Sequence, residues 1–175
     1  MCFYARRFNL YLLLIMVGML AAPGCATHKK DKDKHVGALR VHVESPPGEQ
    51  SHTINVLRSS PVEVVVADEP ILTEQNLISA TLLETPGGFA VRVKFDETGT
   101  WVLEQNTAAY AGKHMVIFGQ WGTKVSEGRW LAAPLITHRI ADGMLTFTPD
   151  ASRDESTNLV AGLNNVAKMI NTKQK

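Results

Sequence analysis

Alternation of apolar and polar residues is the feature of this sequence that most restricts its fold. In Ala38–Glu44, the apolar side chains Leu39, Val41 and Val43 alternate with polar ones, and Phe89–Phe95 repeats the pattern. A period of two is typical of a strand with one buried face. The chain is therefore expected to build a mainly antiparallel sheet.

Short apolar segments bounded by turn residues extend this sheet. Gly87 and Gly88 are expected to supply the positive φ values of a hairpin. The polar segment 120–129 predicts a loop, and Pro134 predicts an edge or bulged strand because proline lacks a backbone donor. The predicted strands are 38–44, 52–59, 62–68, 77–84, 89–95, 114–119 (central), 130–140 and 143–149, with a single helical turn at Thr73–Asn76.

Two helices are predicted from capping residues and helical spacing. Asp96 is expected to cap a helix that runs to about Tyr110, with Gly112 as its stop. Ser152 and Glu155 match a capping box for a closing helix. Its predicted buried stripe is Leu159, Leu163, Val166, Ala167 and Ile170. The order of elements predicts an α+β fold, with two principal helices packed on one face of a mainly antiparallel sheet.

The N-terminal segment indicates export and membrane anchoring. Arg6 and Arg7 precede the apolar run Leu10–Ala22, which is shorter than the roughly 20 residues that a spanning helix needs. Cys25 follows small or compact residues. This arrangement resembles the lipobox of bacterial lipoproteins, in which the thiol is acylated and the peptide is cut before it. A non-cleaved anchor and an ordinary secretory cleavage are the alternatives.

The predicted domain organisation follows from that processing. Residues 1–24 would form the signal peptide, 25–36 the lipidated cysteine and a flexible tether, and 37–175 a single domain. Cys2 and Cys25 are the only cysteines, so the processed domain would hold no disulfide and its fold must rest on its core. The charge-rich tether reaches at most about 35 Å.

The compartment predicted from the N-terminal segment is the cell envelope. Ala26, in place of Asp after the cysteine, favours the outer membrane facing the periplasm, and the inner membrane is the alternative. The formal charge is +1, which gives no reason to expect a nucleic-acid partner.

Catalysis, metal binding and cofactors are not predicted. The sequence contains no GxSxG, GxxxxGK[ST] or HExxH motif, which excludes the common signatures of hydrolases, nucleotide-binding loops and zinc proteases. His138, beside Arg139, could act as a general base, but a surface position at a strand end is the preferred interpretation. His28, His35 and His42 recur every seven residues; a solvated tether and a strand surface explain them better than a metal patch.

Several sequence pieces in a fixed order carry a family resemblance across 62–165. They are Asp68, Glu69, Pro70 and Leu72; then Phe95, Asp96, Glu97, Gly99, Thr107, Gly112 and Ile117; then Ala133, Pro134, Ile136, Ile140 and Gly143; and finally "DESTNLVAGLN". In this order they resemble the head of the first periplasmic domain of SecD, the accessory subunit of the bacterial protein-export translocase. The chain departs from the family pattern at "GQWG" and in a longer loop before "LAAP".

The resemblance implies a non-enzymatic domain that binds protein, either exported chains or the export machinery. In SecD, ionisable residues of membrane helices couple proton flow to head movement. No such helix follows Cys25, so a capture surface without a proton-driven motor is expected. A structural docking subunit of an envelope complex unrelated to export is the alternative, and an undetected hydrolase is a third interpretation.

The predicted protein-binding surface is an exposed edge that accepts an extended chain by strand addition. Trp121 and Trp130 flank the divergent loop and are candidate contacts, whereas Trp101, on a helix, is expected in the core. The predicted edge residues are Ala132, Ala133, Pro134, Leu135, Ile136 and Thr137.

Overall fold

The computed structural model describes residues 35–123 and 127–173. The predicted signal peptide, Cys25 and most of the tether lie outside these residues. The elements are β1 (Val36–Val43), β2 (Ser51–Val56), β3 (Val62–Ala67), β4 (Leu72–Thr73), a 3₁₀ turn (Glu74–Asn76), β5 (Leu77–Thr85), β6 (Gly88–Phe95), α1 (Glu97–Ala109), β7 (Met115–Gly122), β8 (Glu127–Ala132), β9 (Met144–Phe147) and α2 (Arg153–Lys173).

The strands pair in antiparallel fashion and form three sheets. One sheet has the order β4-β1-β7-β8, a second is the β2–β3 hairpin, and the third has the order β5-β6-β9. The predicted α+β class, with mainly antiparallel strands and two helices, is confirmed. The single sheet that was expected is instead divided into three, and β7 is central in the largest of them, as predicted.

Helix α2 closes the main core by crossing the four-stranded sheet. Its buried residues Leu159, Leu163 and Ala167 pack with Leu39 and Ile117 of the sheet. The crossing is unusually close at one point. A Cβ atom added to Gly162 would lie 2.6 Å from the backbone nitrogen of Gly37, so this pair of glycines sets the distance between helix and strand.

The β2–β3 hairpin covers part of the opposite face of the four-stranded sheet. Its residues Ile54, Val56, Val64 and Val66 form a second apolar cluster with Val116 of β7, against which Trp130 and Ala133 pack. The His42 ring lies below this cover, is 5% exposed, and its Nδ1 lies 2.8 Å from the carbonyl oxygen of Ala67. The prediction of a solvated strand surface at His42 was therefore wrong, because the hairpin packs over it.

The side chains predicted to cap the two helices make the expected hydrogen bonds. The Asp96 carboxylate accepts a hydrogen bond from the Gly99 backbone at 2.7 Å. At the start of α2, the Glu155 carboxylate accepts from the Ser152 backbone at 2.6 Å, and the Ser152 hydroxyl accepts from the Glu155 backbone at 3.2 Å. The Thr73 turn carries the same reciprocal pattern with Asn76.

Other local expectations were wrong. Only one of the two hairpin glycines, Gly88, has a positive φ (148°). At both ends of the loop predicted for 120–129 the structure has strands instead, since β7 continues to Gly122 and β8 begins at Glu127. The strand predicted for 130–140 ends at Ala132, two residues before Pro134, because proline cannot donate to the ladder.

Trp101 was expected in the core, but its exposed fraction is 62%. The buried residues of α1 are Gly99, Leu103 and Thr107. Trp101 lies two residues from both Gly99 and Leu103, which is about 200° around a helix, so it points to the opposite side. Within 35–123 and 127–173, no helix is both long and apolar enough to cross a membrane.

Candidate functional site

A shallow groove of about 550 Å³ lies where the four-stranded and three-stranded sheets meet. It is lined by Ala132–Pro134, at the end of β8, and by Thr146–Thr148, at the end of β9. Leu57, Thr85 and Ala90 complete the lining. All nine side chains are apolar, small or uncharged, so the groove suits an uncharged extended segment better than an ionic ligand.

Strand β9 supplies the backbone edge of this groove, because β6 is its only partner among the described strands. The Phe95 backbone donates to the Gly143 carbonyl at 3.0 Å, and the register pairs Lys94 with Met144 and Arg92 with Thr146. In an antiparallel ladder, alternate residues direct their backbone groups inward and outward. Met144 and Thr146 therefore direct their N–H and C=O groups away from β6.

Thr146 is the residue on which this surface centres. The outward N–H of Met144 is already bonded to the Asp142 carboxylate at 3.0 Å, so Thr146 presents the main-chain pair of this strand to the groove. Two neighbouring depressions, of about 460 and 110 Å³, also include Thr146 and extend toward 138–142. An extended chain paired with Thr146 would lie along all three.

Of the predicted edge, residues 132–134 line the groove and residues 135–137 line the neighbouring depression of about 110 Å³, and the segment differs from the open strand that was expected. Ala132 and Ile136 are 4% and 5% exposed, whereas Leu135 is 51% exposed; Thr137 is exposed, and Ala133 and Pro134 are half-buried. The Pro134 and Ile136 backbone groups bond to the segment from Gly112 to Met115. The Leu131 carbonyl on β8 accepts from the Asp150 backbone at 2.7 Å, so the outer edge of β8 is covered there.

The tip of the β2–β3 hairpin reaches the groove in a strained conformation. Leu57 has a φ of 71°, which a residue with a Cβ adopts only at an energetic cost. Its neighbour Arg58 donates its backbone N–H to the Asp150 carboxylate at 2.7 Å and its Nε to the same oxygen at 3.3 Å. This contact holds Leu57 at the groove, and we call the Arg58–Asp150 contact the hairpin latch.

A second arginine, Arg129, joins Asp150 of the hairpin latch to the start of α2. Arg129 donates from Nε and Nη2 to the Asp150 carbonyl at 3.2 and 3.1 Å, and from Nη2 to the Glu155 carboxylate at 2.9 Å. The hydrogen bond from Arg129, with that from the Ser152 backbone, lowers the pKa of Glu155 to about 2. Glu155 is therefore ionised at neutral pH and keeps Arg129 in place.

The two candidate tryptophans do not lie as expected. Trp121 is 2% exposed, because it shares the core-facing side of β7 with Met115 and Ile117, and the Arg129 guanidinium lies 4.9 Å from its ring. Its predicted place on an interaction surface was wrong. Trp130 is half-buried and contacts the rings of His42 and Phe118, each at 5.2 Å between centroids; its part in binding stays a prediction.

The titratable residues outside the groove make structural contacts. Burial lowers the pKa of His42, partly offset by its bond to the Ala67 carbonyl. His138 is exposed, as predicted, and its Nδ1 lies 3.0 Å from the Thr137 hydroxyl. No group of three or more His, Cys, Asp or Glu residues suited to a metal ion occurs in the described part of the chain.

Residues 132–134 of the groove were predicted from the sequence. Leu57, Thr85, Ala90 and the β9 residues, which come from four separate segments, were not. The alternation in β9, where Leu145 and Phe147 are buried and Thr146 is exposed, was a usable signal for its outer face. No local signal indicates that Leu57 would be drawn to β9, because that contact depends on Asp150, far along the chain.

Comparison with known proteins gives a family match and matches to solved structures. Residues 51–167 match the family model described as SecDF, P1 head subdomain. A solved structure of a membrane component SecDF that enhances protein export is 17% identical, with a TM-score of 0.55, over 82% of this chain and 71% of that one. A crystal structure of SecDF in a super-membrane-facing form is 16% identical, with a TM-score of 0.55, over 80% of this chain and 21% of that one.

No curated protein sequence matches this chain. At these identities the structural matches establish the fold, an α+β domain like that of the SecDF structures.

Proposed function

This chain belongs to the SecDF P1 head subdomain family, and we propose that it is a non-enzymatic, lipid-anchored envelope protein that captures extended protein segments beside strand β9. The clients are exported chains or parts of the export machinery. The observation that carries the proposal is an outward-facing backbone edge at Thr146 inside an uncharged groove.

Strand addition is the mode of binding that this geometry supports. A client segment in register with Thr146 gains two main-chain hydrogen bonds, each worth about 1 kcal/mol net. Its alternate side chains fall toward the protein surface, where the exposed part of Leu57 in the groove and that of Leu135 in the neighbouring depression offer apolar contact. Because main-chain bonds are independent of sequence, such a site accepts many unrelated clients weakly, which suits transient capture.

Capture at this groove does not require proton uptake. None of the nine described lining residues carries a titratable side chain, so their charge is the same across the physiological pH range. The proposed role is therefore passive binding, without proton-driven pulling.

Anchoring through Cys25 gives the capture role its location. Acylation there would hold the domain within the reach of the short charged segment before His35, about 35 Å when extended. The envelope is where exported chains emerge, and the outer membrane facing the periplasm is the preferred site. The inner membrane is the alternative.

Site-specific photo-crosslinking in cells tests the proposal. A photoreactive residue is placed at Leu57 in the groove rim, and a matched control is placed at the exposed Gln105 on α1. Partners captured from Leu57 and not from Gln105 are identified by mass spectrometry. Acylation is checked separately from the mass of the N-terminal peptide that begins at Cys25.

The outcomes separate the functional alternatives. Many unrelated exported proteins, or translocase subunits, captured at Leu57 would support the capture role. A single stoichiometric envelope partner would instead support the docking-subunit alternative. Equal capture from Leu57 and Gln105 would refute the groove as the binding site.

A further inference from the structure

Charge is unevenly distributed between helix α2 and the rest of the domain. Residues 36–155 contain nine Lys and Arg residues against fifteen Asp and Glu residues, whereas residues 156–175 contain three lysines and no acid. The first turn of α2 carries Asp154 and Glu155. The helix thus has an acidic start, a basic end and an acidic protein body beside it.

The basic end of α2 also exposes an apolar side chain. Met169 is 52% exposed, and its neighbours Lys168 and Thr172 are exposed as well. The Thr172 hydroxyl donates to the Lys168 carbonyl at 2.7 Å, so it is satisfied within the helix. A long cationic side chain beside an exposed apolar one offers a membrane surface both charge attraction and apolar contact.

The chain enters the domain beside the middle of α2, nearer to its basic end than to its acidic start. The Asn165 side-chain amide donates to the His35 carbonyl at 3.0 Å, and Gly162 lies directly against Val36 and Gly37. Asn165 is one helical turn before Met169. The residues preceding His35 lie outside the described part of the chain, but they are joined to it here, so an anchor at Cys25 would keep the His35 end of the domain, and the basic end of α2 beside it, within about 35 Å of the membrane.

We propose that the C-terminal end of α2, centred on Lys168 and Met169, docks on the anionic phospholipid headgroups of the membrane that anchors the protein. Lysines near an anionic lipid surface are attracted to it, and the acidic body is repelled. The proposal rests on the membrane anchoring proposed above, and it adds an orientation to it.

The orientation places the groove away from the lipid. Helix α2 has 21 residues, a length of about 32 Å, and Asp150 of the hairpin latch lies just before its opposite end. With the basic end on the membrane, the Thr146 groove lies beside the far end of the helix. A client chain would then reach the groove from the aqueous side.

Lysines at a helix C-terminus also have a purely internal role, because they compensate the helix dipole. That role is the same in any lipid. Dependence on lipid charge therefore separates surface docking from dipole compensation, and it can be read from the reactivity of Lys168 itself without altering the sequence.

Lysine acetylation footprinting of the anchored full chain is the test. The protein is reconstituted into vesicles of phosphatidylcholine alone, or of phosphatidylcholine with a quarter phosphatidylglycerol. Acetylation rates are measured by mass spectrometry for Lys168 and for Lys94, an exposed lysine on β6 that serves as the internal control.

Docking predicts that Lys168 reacts about fivefold more slowly on the anionic vesicles, the protection expected for a lysine held at an anionic surface. Salt at about 1 M should restore its rate, because the screening length falls to about 3 Å, and Lys94 should react equally on both vesicles. Equal Lys168 rates on both, with the protein still floating with the vesicles, would overturn the docking alone. A chain that floats with neither vesicle would overturn the anchoring and the docking together.

Discussion

Gly162→Ala is the substitution that most directly tests how α2 packs on the sheet. The added methyl carbon would lie 2.6 Å from the Gly37 nitrogen, 2.7 Å from the Val36 carbonyl carbon and 2.9 Å from its oxygen. Ordinary contacts begin near 3.4 Å, so helix and strand must separate by almost 1 Å. Val36 and Gly37 are paired with β7, and β1 is also paired with β4 farther along, at Arg40 and Val41, so the sheet restrains this backbone from moving away.

Two opposing effects determine how much Gly162→Ala changes the free energy of unfolding. Alanine favours a helix over glycine by about 1 kcal/mol, whereas overpacking against a fixed backbone costs up to about 3 kcal/mol. The expected net loss in the free energy of unfolding is therefore about 2 kcal/mol, which corresponds to a decrease in Tm of roughly 6 °C for a domain of this size.

Urea and thermal unfolding, followed by circular dichroism, measure this loss. Gly48→Ala is the matched control, because nothing lies within 4 Å of its added Cβ, and it should change stability by less than about 0.5 kcal/mol. If Gly162→Ala were as stable as the wild type or more so, helix propensity would be the larger effect and the close approach of α2 to β1 would be refuted.

Three further predictions concern the groove and the hairpin that borders it. Thr146→Pro removes the outward N–H of β9 and should reduce client crosslinking in the groove at least fivefold, whereas Thr146→Val keeps the N–H and should retain most of it; equal losses would refute strand addition. Asp150→Ala breaks the hairpin latch with Arg58 and should lower the free energy of unfolding by about 1.5 kcal/mol in urea titrations, with a smaller loss for Asp150→Asn, which keeps one acceptor oxygen. Burial lowers the pKa of His42 below its usual 6.5, so the unfolded chain takes up this proton first and stability should fall as pH decreases below about 6.5. Nearby His52 and Arg40 oppose protonation of His42 and Asp68 favours it. The pH dependence of Trp130 fluorescence and of urea unfolding should diminish in His42→Gln, and an unchanged dependence would assign it to other groups.

Much of the local structure was predictable, because its causes lie within a few residues. Asp96 caps α1, and Ser152 with Glu155 caps α2, through contacts three residues apart. The alternation of apolar and polar residues in β6 correctly predicted which face of the strand is buried. Pro134 correctly indicated that a regular central strand could not continue through that position.

The arrangement of these elements was not predictable from local patterns. Trp121 and His42 show why. The polar segment around Trp121 reads as a loop, but antiparallel pairing with β1 carries β7 through it to Gly122. His42 is on the polar face of its strand and is buried only because a separate hairpin folds over it. The groove likewise depends on contacts between residues far apart in the chain, such as Arg58 and Asp150, which are 92 positions apart.

The place of β1 between β4 and β7 has a consequence for the order in which the protein can fold. Val36 pairs with Gly122, and His35 meets Asn165, which is 130 positions later in the chain. During synthesis β1, the first of the described strands, therefore stays without its central partner until β7 follows, and without its covering helix until α2 follows. Such distant pairing slows folding, because long loops must close before the contacts form. During that interval an apolar strand is open to any chaperone, or to any other copy of the chain, that meets it first.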